Sequence, residues 1–264
     1  MSLRKLYDRW RRRYSRCLQR QEILRRRARQ TGGPEDVHDL RVVLRRLRLF
    51  VRLASPFIGQ HSAIEYATWS RGLSQATSAV RDHDVALEWL QVHPAGAELT
   101  RELRTSRARL WRACRPALRP LSRRLRHRLS DFRTSGKTRR RFSQRYARRF
   151  ERLSTRVRPR IAIYGRLKLE DRHAFRRSLR QMRYMRELAV AGAKQEPDPL
   201  LSLLLRVQAA MGELQNLQLV AALAGTQLDG LETVAVKRLL ARDTRRWKRE
   251  IREGLQALAS GLGA

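Results

Sequence analysis

Apolar residues recur at i, i+3 and i+4 along nearly the whole chain, and the alternating β-branched and aromatic runs that mark strands do not occur. The pattern predicts an all-α protein. Glycine and proline punctuate it at Thr31-Gly32-Gly33-Pro34, His93-Pro94-Ala95-Gly96, Thr134-Ser135-Gly136, Glu196-Pro197-Asp198-Pro199 and Ala224-Gly225 to Gly230. Softer stops fall near Pro56 to Gly59 and Pro159 to Gly165. Eight helices are expected between these points, at about 3–30, 35–54, 60–92, 96–130, 138–158, 166–194, 198–224 and 230–259.

The stretch Thr134-Ser135-Gly136-Lys137 divides the eight into four and four, and the two halves, 1–134 and 135–264, repeat a spacing. His38, Arg41, Arg45 and Arg48 open the second helix; His173, Arg176, Arg180 and Arg183 open the sixth. Both read His-x2-Arg-x3-Arg-x2-Arg. A weaker echo sets Ala79-Val80-Arg81-Asp82 against Glu213-Leu214-Gln215-Asn216. Duplicated four-helix units are the economical architecture.

On a helix, His38, Arg41, Arg45, Arg48 and Arg52 share one face, beside an apolar stripe of Val37, Leu40, Leu44, Leu47 and Val51. An ordinary solvated face mixes Glu with its Lys and Arg, and this one does not. Stacked like charges at i,i+4 destabilise a helix by a few tenths of a kcal/mol per pair, so a partner must offset them. The second stripe has the same form, with Arg177 and Tyr184 adjoining. If a pseudo-twofold relates the halves, the two stripes line one groove or pore. Repeated guanidinium groups along two helices suit a polymer of phosphates better than one compact ligand.

Net charge strengthens that expectation. Sixty Lys and Arg against 24 Asp and Glu leave +36, and all but six of the sixty are arginine, whose planar fork matches phosphate oxygens. Runs such as Arg9-Trp10-Arg11-Arg12-Arg13-Tyr14, Arg25-Arg26-Arg27, Arg123-Arg124 and Arg139-Arg140-Arg141 make nonspecific nucleic-acid binding the alternative, although 6% aromatic content provides little for base stacking. No stretch reaches the roughly 18 apolar residues of a membrane helix. No signal core precedes the first helix, and Cys17 and Cys114 are isolated; a reduced, cytoplasmic protein without a membrane partner is expected.

Catalytic signals are thin. His38 and His173 lack further ligands at metal spacing, and their arginine neighbours oppose a cation, so neither a metal nor another cofactor is expected. Arg81-Asp82-His83-Asp84 resembles a magnesium-binding carboxylate pair, but an Arg–Asp ion pair holding helices together is the simpler use. Ser135-Gly136-Lys137-Thr138 resembles the end of a phosphate loop, yet Asp131 stands where the earlier glycine belongs. No catalytic residues are assigned.

The segments His38 to Arg48, Ala79 to Val85, His173 to Tyr184, and Leu205-Arg206-Val207-Gln208 through Asn216 together resemble the CHAD domain, the conserved histidine α-helical domain, over essentially the whole chain. That resemblance implies two similar four-helix bundles around a basic central cavity. It also implies inorganic polyphosphate as ligand and polyphosphate granules as a destination. Carried over by position, it places His38, Arg41, Arg45, Arg48, His173, Arg176, Arg180 and Arg183 on the ligand surface, with Arg46, Arg177 and Arg206 as further members. The chain departs from the family pattern at Asn216, where Asp is usual, and at Arg180, where Lys is common.

Overall fold

The computed structural model describes residues 3–93, 97–131, 135–190, 198–225 and 231–262, and among these every regular element is helical. The predicted breaks at Pro94 to Gly96, at Thr134, at Glu196-Pro197 and from Thr226 to Gly230 lie outside the described residues, as does the predicted end of the sixth helix at 194.

Six helices occupy the first half where four were expected: α1 (Leu3–Thr31), α2 (Pro34–Ile58), α3 (Gln60–Ala76), α4 (Ser78–Val92), α5 (Ala97–Cys114) and α6 (Arg123–Ser130). The expected 60–92 helix breaks at Thr77, a buried residue at φ −91°, ψ 7° whose hydroxyl donates to the Leu73 carbonyl at 2.9 Å. A side chain satisfied by its own backbone in this way competes with helix continuation. The expected 96–130 helix ends at Cys114 because Pro116 and Pro120 supply no N–H. A short 3-10 turn, Arg115–Ala117, follows, and α6 restarts where the Ser122 hydroxyl accepts from the Leu125 N–H at 3.2 Å.

The second half has the expected four, α7 (Gly136–Ala162), α8 (Leu169–Val190), α9 (Pro199–Gly225) and α10 (Leu231–Gly261). From α1 to α5 and from α7 to α10 each helix packs on the next, α6 packs on α3 and α2, and α1 also packs on α7 and α8 while α4 packs on α9. The spacing of Tyr7, Trp10 and Tyr14 puts three aromatics on one face of α1. There Trp10 meets Phe142 of α7 with ring centroids 4.7 Å apart, and the Tyr14 hydroxyl donates to the Leu129 carbonyl at 2.7 Å. The largest apolar cluster therefore draws on both halves, from Leu6 and Leu47 to Leu179, Met211 and Leu258. A second cluster joins Leu90 and Leu103 of α4 and α5 to Leu217 and Val220 of α9. Packed on α8, α10 and α4 together, α9 buries Leu204, Val207, Met211, Leu217 and Val220 and leaves Leu205 and Arg206 exposed. Among the described residues no helix is long and apolar enough to cross a membrane.

Candidate polyanion site

Packing the apolar faces of α2 and α8 inward leaves part of each basic stripe at one cleft of about 430 Å³. Arg45, Arg48 and Arg52 of α2, Arg71 of α3, and Arg177 and Arg180 of α8 line it, with Leu49, Ala67, Gln181 and the buried Tyr184 between them. Among the described residues no carboxylate is in the lining. Arg48 donates to the Ser70 carbonyl at 3.3 Å and to the Ser74 hydroxyl at 3.4 Å, whereas Arg45 keeps a buried Nε without a hydrogen-bond partner.

The stripes also act on each other electrostatically. Desolvation first, then Arg45, then Arg176 push Arg180 down to about 10, and desolvation followed by Arg45 lowers Arg176. Desolvation likewise leads in lowering Arg48, with Arg45, Arg71 and Arg52 adding to it. All of these groups still carry a proton at neutral pH, so the cleft holds its repulsion as an unfavourable energy that an anion would relieve.

The remaining residues of the sequence reading are placed elsewhere. Arg41 donates to the Ser74 carbonyl and, at 3.1 Å, to the Thr77 hydroxyl, clamping the α3–α4 break. Arg176 lies over α9, where a Cβ built on Gly212 would sit 3.6 Å from its guanidinium nitrogen. Arg46 and Arg183 share Glu187 at 2.9 and 3.3 Å, and both lie against the Tyr184 ring. Arg206 pairs with Glu250 and Glu253 of α10. His38 and His173 are exposed at the starts of their helices and line no described cleft. Desolvation, then Arg81 and Arg45, lower the His38 pKa, so it is neutral at pH 7. Glu187→Ala should therefore leave two half-buried guanidinium groups without their carboxylate, costing about 1–3 kcal/mol by chemical denaturation. Anion affinity should not rise with it; a rise, from guanidinium groups freed to meet the anion, would return Arg46 and Arg183 to the ligand surface.

The Arg81-Asp82-His83-Asp84 segment forms ion pairs. Arg81 reaches Glu88 at 2.7 Å, and buried Asp84 accepts from Arg107 of α5 at 2.6 Å. His83 Nδ1 lies 2.9 Å from the Ala79 carbonyl. Among the described residues no group of three or more His, Cys, Asp or Glu side chains converges to hold a metal.

The sequence reading missed a second basic cleft, of about 590 Å³, which adjoins the first at Arg52 and Gln181. Its wall is α7, with Arg141, Arg145, Arg148, Arg149, Arg152 and Arg156. These positions fall on one helical face and were legible by the same count that found the other two stripes.

The CHAD domain family model matches residues 8–225. The chain belongs to the CHAD-domain family. The fold agrees: the crystal structure of the CHAD domain from the plant Ricinus communis superposes with a TM-score of 0.60, covering 98% of this chain and 92% of that one at 18% identity. No curated protein matches the sequence. In this CHAD domain α10 lies beyond the matched residues, yet Ile251, Leu255 and Leu258 belong to the main core.

Proposed function

We propose that this CHAD domain binds inorganic polyphosphate without transforming it. The supporting observation is the meeting of Arg45, Arg48 and Arg52 with Arg177 and Arg180, separated by more than a hundred residues in sequence, at one cleft whose described lining contains no carboxylate. Guanidinium forks at successive turns match a flexible chain that presents anionic oxygens at every unit. Nucleic acid fits less well. The only aromatic side chain in the cleft is Tyr184, which is buried, so no ring is offered to an unpaired base. Cytoplasmic residence on polyphosphate granules follows from this reading.

Calorimetric titration with long-chain polyphosphate, tripolyphosphate and duplex DNA at two salt concentrations tests it. Polyphosphate binding should persist at the higher salt while DNA binding fades, because a desolvated cleft holds its charges against screening better than an open surface does. Equal affinities with equal salt slopes would reduce the protein to a diffuse basic surface.

A further inference from the structure

On the reading that the central cleft holds polyphosphate, we propose that the α7 cleft is a second segment of the same binding track, which selects for long chains. The geometry is specific. At 100° per residue, Arg141, Arg145, Arg148, Arg152 and Arg156 fall within about 80° of one another around the helix, and fifteen residues at 1.5 Å rise extend the row over about 22 Å. The adjoining face, through Phe142, Tyr146, Leu153 and Val157, is buried in the core and fixes the row on a rigid element.

The two clefts meet at Arg52 and Gln181, and among the described residues neither contains a carboxylate. Arg145 donates to the Arg52 carbonyl at 3.1 Å and the Ser55 hydroxyl at 2.9 Å, and Arg149 donates to Gln181. These two arginines fix α7 against α2 and α8. Arg141, Arg148, Arg152 and Arg156 make no hydrogen bond or ion pair within the described residues and stand exposed along the row. Desolvation, then Arg52, Arg145, Arg156 and Arg152, push Arg149 down to about 10, so the charges of α2 and α7 act within one field. A basic row whose cleft has no carboxylate among its described lining residues, joined end to end with the central cleft, fits the continuation of the same linear polyanion. A short oligophosphate fills the central cleft alone; a long chain occupies both.

The test is the combined variant Arg141→Gln, Arg148→Gln, Arg152→Gln and Arg156→Gln in the full chain, titrated with tripolyphosphate and with long-chain polyphosphate. A matched control, Lys237→Gln, Arg238→Gln, Arg245→Gln and Arg249→Gln on α10, removes the same charge from exposed positions that line neither cleft. The expected result for the α7 variant is unchanged tripolyphosphate affinity. Its long-chain affinity should fall by roughly tenfold to a hundredfold, the sum of four exposed charge pairs, with a shallower salt slope. The control should lose far less. Equal losses for both ligands, no loss for either, or an equal long-chain loss in the control would each overturn the proposal. Tripolyphosphate binding by the unmodified protein keeps the central-cleft reading separate, and its absence would remove that reading first.

Discussion

Reversing two charges in the central cleft, Arg45→Glu together with Arg180→Glu, should abolish polyphosphate binding while leaving the protein folded. Arg45 lies where the α2 and α8 stripes act on each other, and Arg180 is the cleft arginine pushed furthest from its ordinary value. Each charge-assisted hydrogen bond contributes about 1.5–3 kcal/mol, so losing two weakens binding by about a hundredfold to ten-thousandfold before the repulsion from two new carboxylates is added. Stability should move the other way. Arg176 is opposed by Arg45, and Arg180 by Arg176 and Arg183, so carboxylates at 45 and 180 turn these repulsions into attractions while the 45–180 pair stays like-charged, and the midpoint of thermal unfolding should hold or rise. Calorimetry and a melting curve on the same sample separate the two effects. A folded double variant that binds as tightly as the parent would falsify the assignment of this cleft.

The second large effect is on folding. Gly32 closes α1 at φ +63°, its N–H bonded to the Ala28 carbonyl at 2.9 Å, and its carbonyl accepts from Arg107. That conformation costs a residue with a Cβ about 1–2 kcal/mol. Here a Cβ would also stand 2.3 Å from Trp111 Cε2 and 2.5 Å from its Nε1, so the indole must move. Forcing a ring aside in packed surroundings adds about 1–3 kcal/mol. Gly32→Ala should therefore destabilise by about 2–5 kcal/mol, a fall of several degrees in Tm. In a Trp111→Ala background only the backbone share should remain. If the cost of Gly32→Ala is the same in both backgrounds, the contact with Trp111 carries none of it.

Reading the chain as a string succeeded wherever one helix explains itself. The stripes of α2 and α8 follow from residue spacing, as does their apolar backing, and the structure brings Arg45, Arg48, Arg52, Arg177 and Arg180 together at one cleft. Spacing does not reveal which basic residues acquire a partner. Arg46 and Arg206 look like their neighbours in sequence, but the carboxylates that engage them sit on other helices whose proximity only tertiary packing decides, whereas Glu187 stands four residues beyond Arg183 on the same helix and was legible. The break at Thr77 was hidden for a similar reason: Ser74-Gln75-Ala76-Thr77-Ser78 contains no glycine or proline, and the stop comes from the Thr77 hydroxyl and from Arg41 reaching across from α2. Pro116 and Pro120 were visible breakers inside a segment whose apolar period was otherwise unbroken. The α7 row was visible too, but Arg139 to Arg141 draws the eye to a cluster rather than to the face that continues beyond it.

The aromatic face of α1 also sets a timetable for the ribosome. Tyr7, Trp10 and Tyr14 leave the exit tunnel well before Phe142, against which Trp10 and Tyr7 pack and which is made roughly 130 residues later. At translation rates of about 5–20 residues per second, these rings wait on the order of 7–25 s for their partner. During that interval the nascent chain shows a sticky aromatic face flanked by arginines, a ready target for chaperones that shield apolar segments during synthesis.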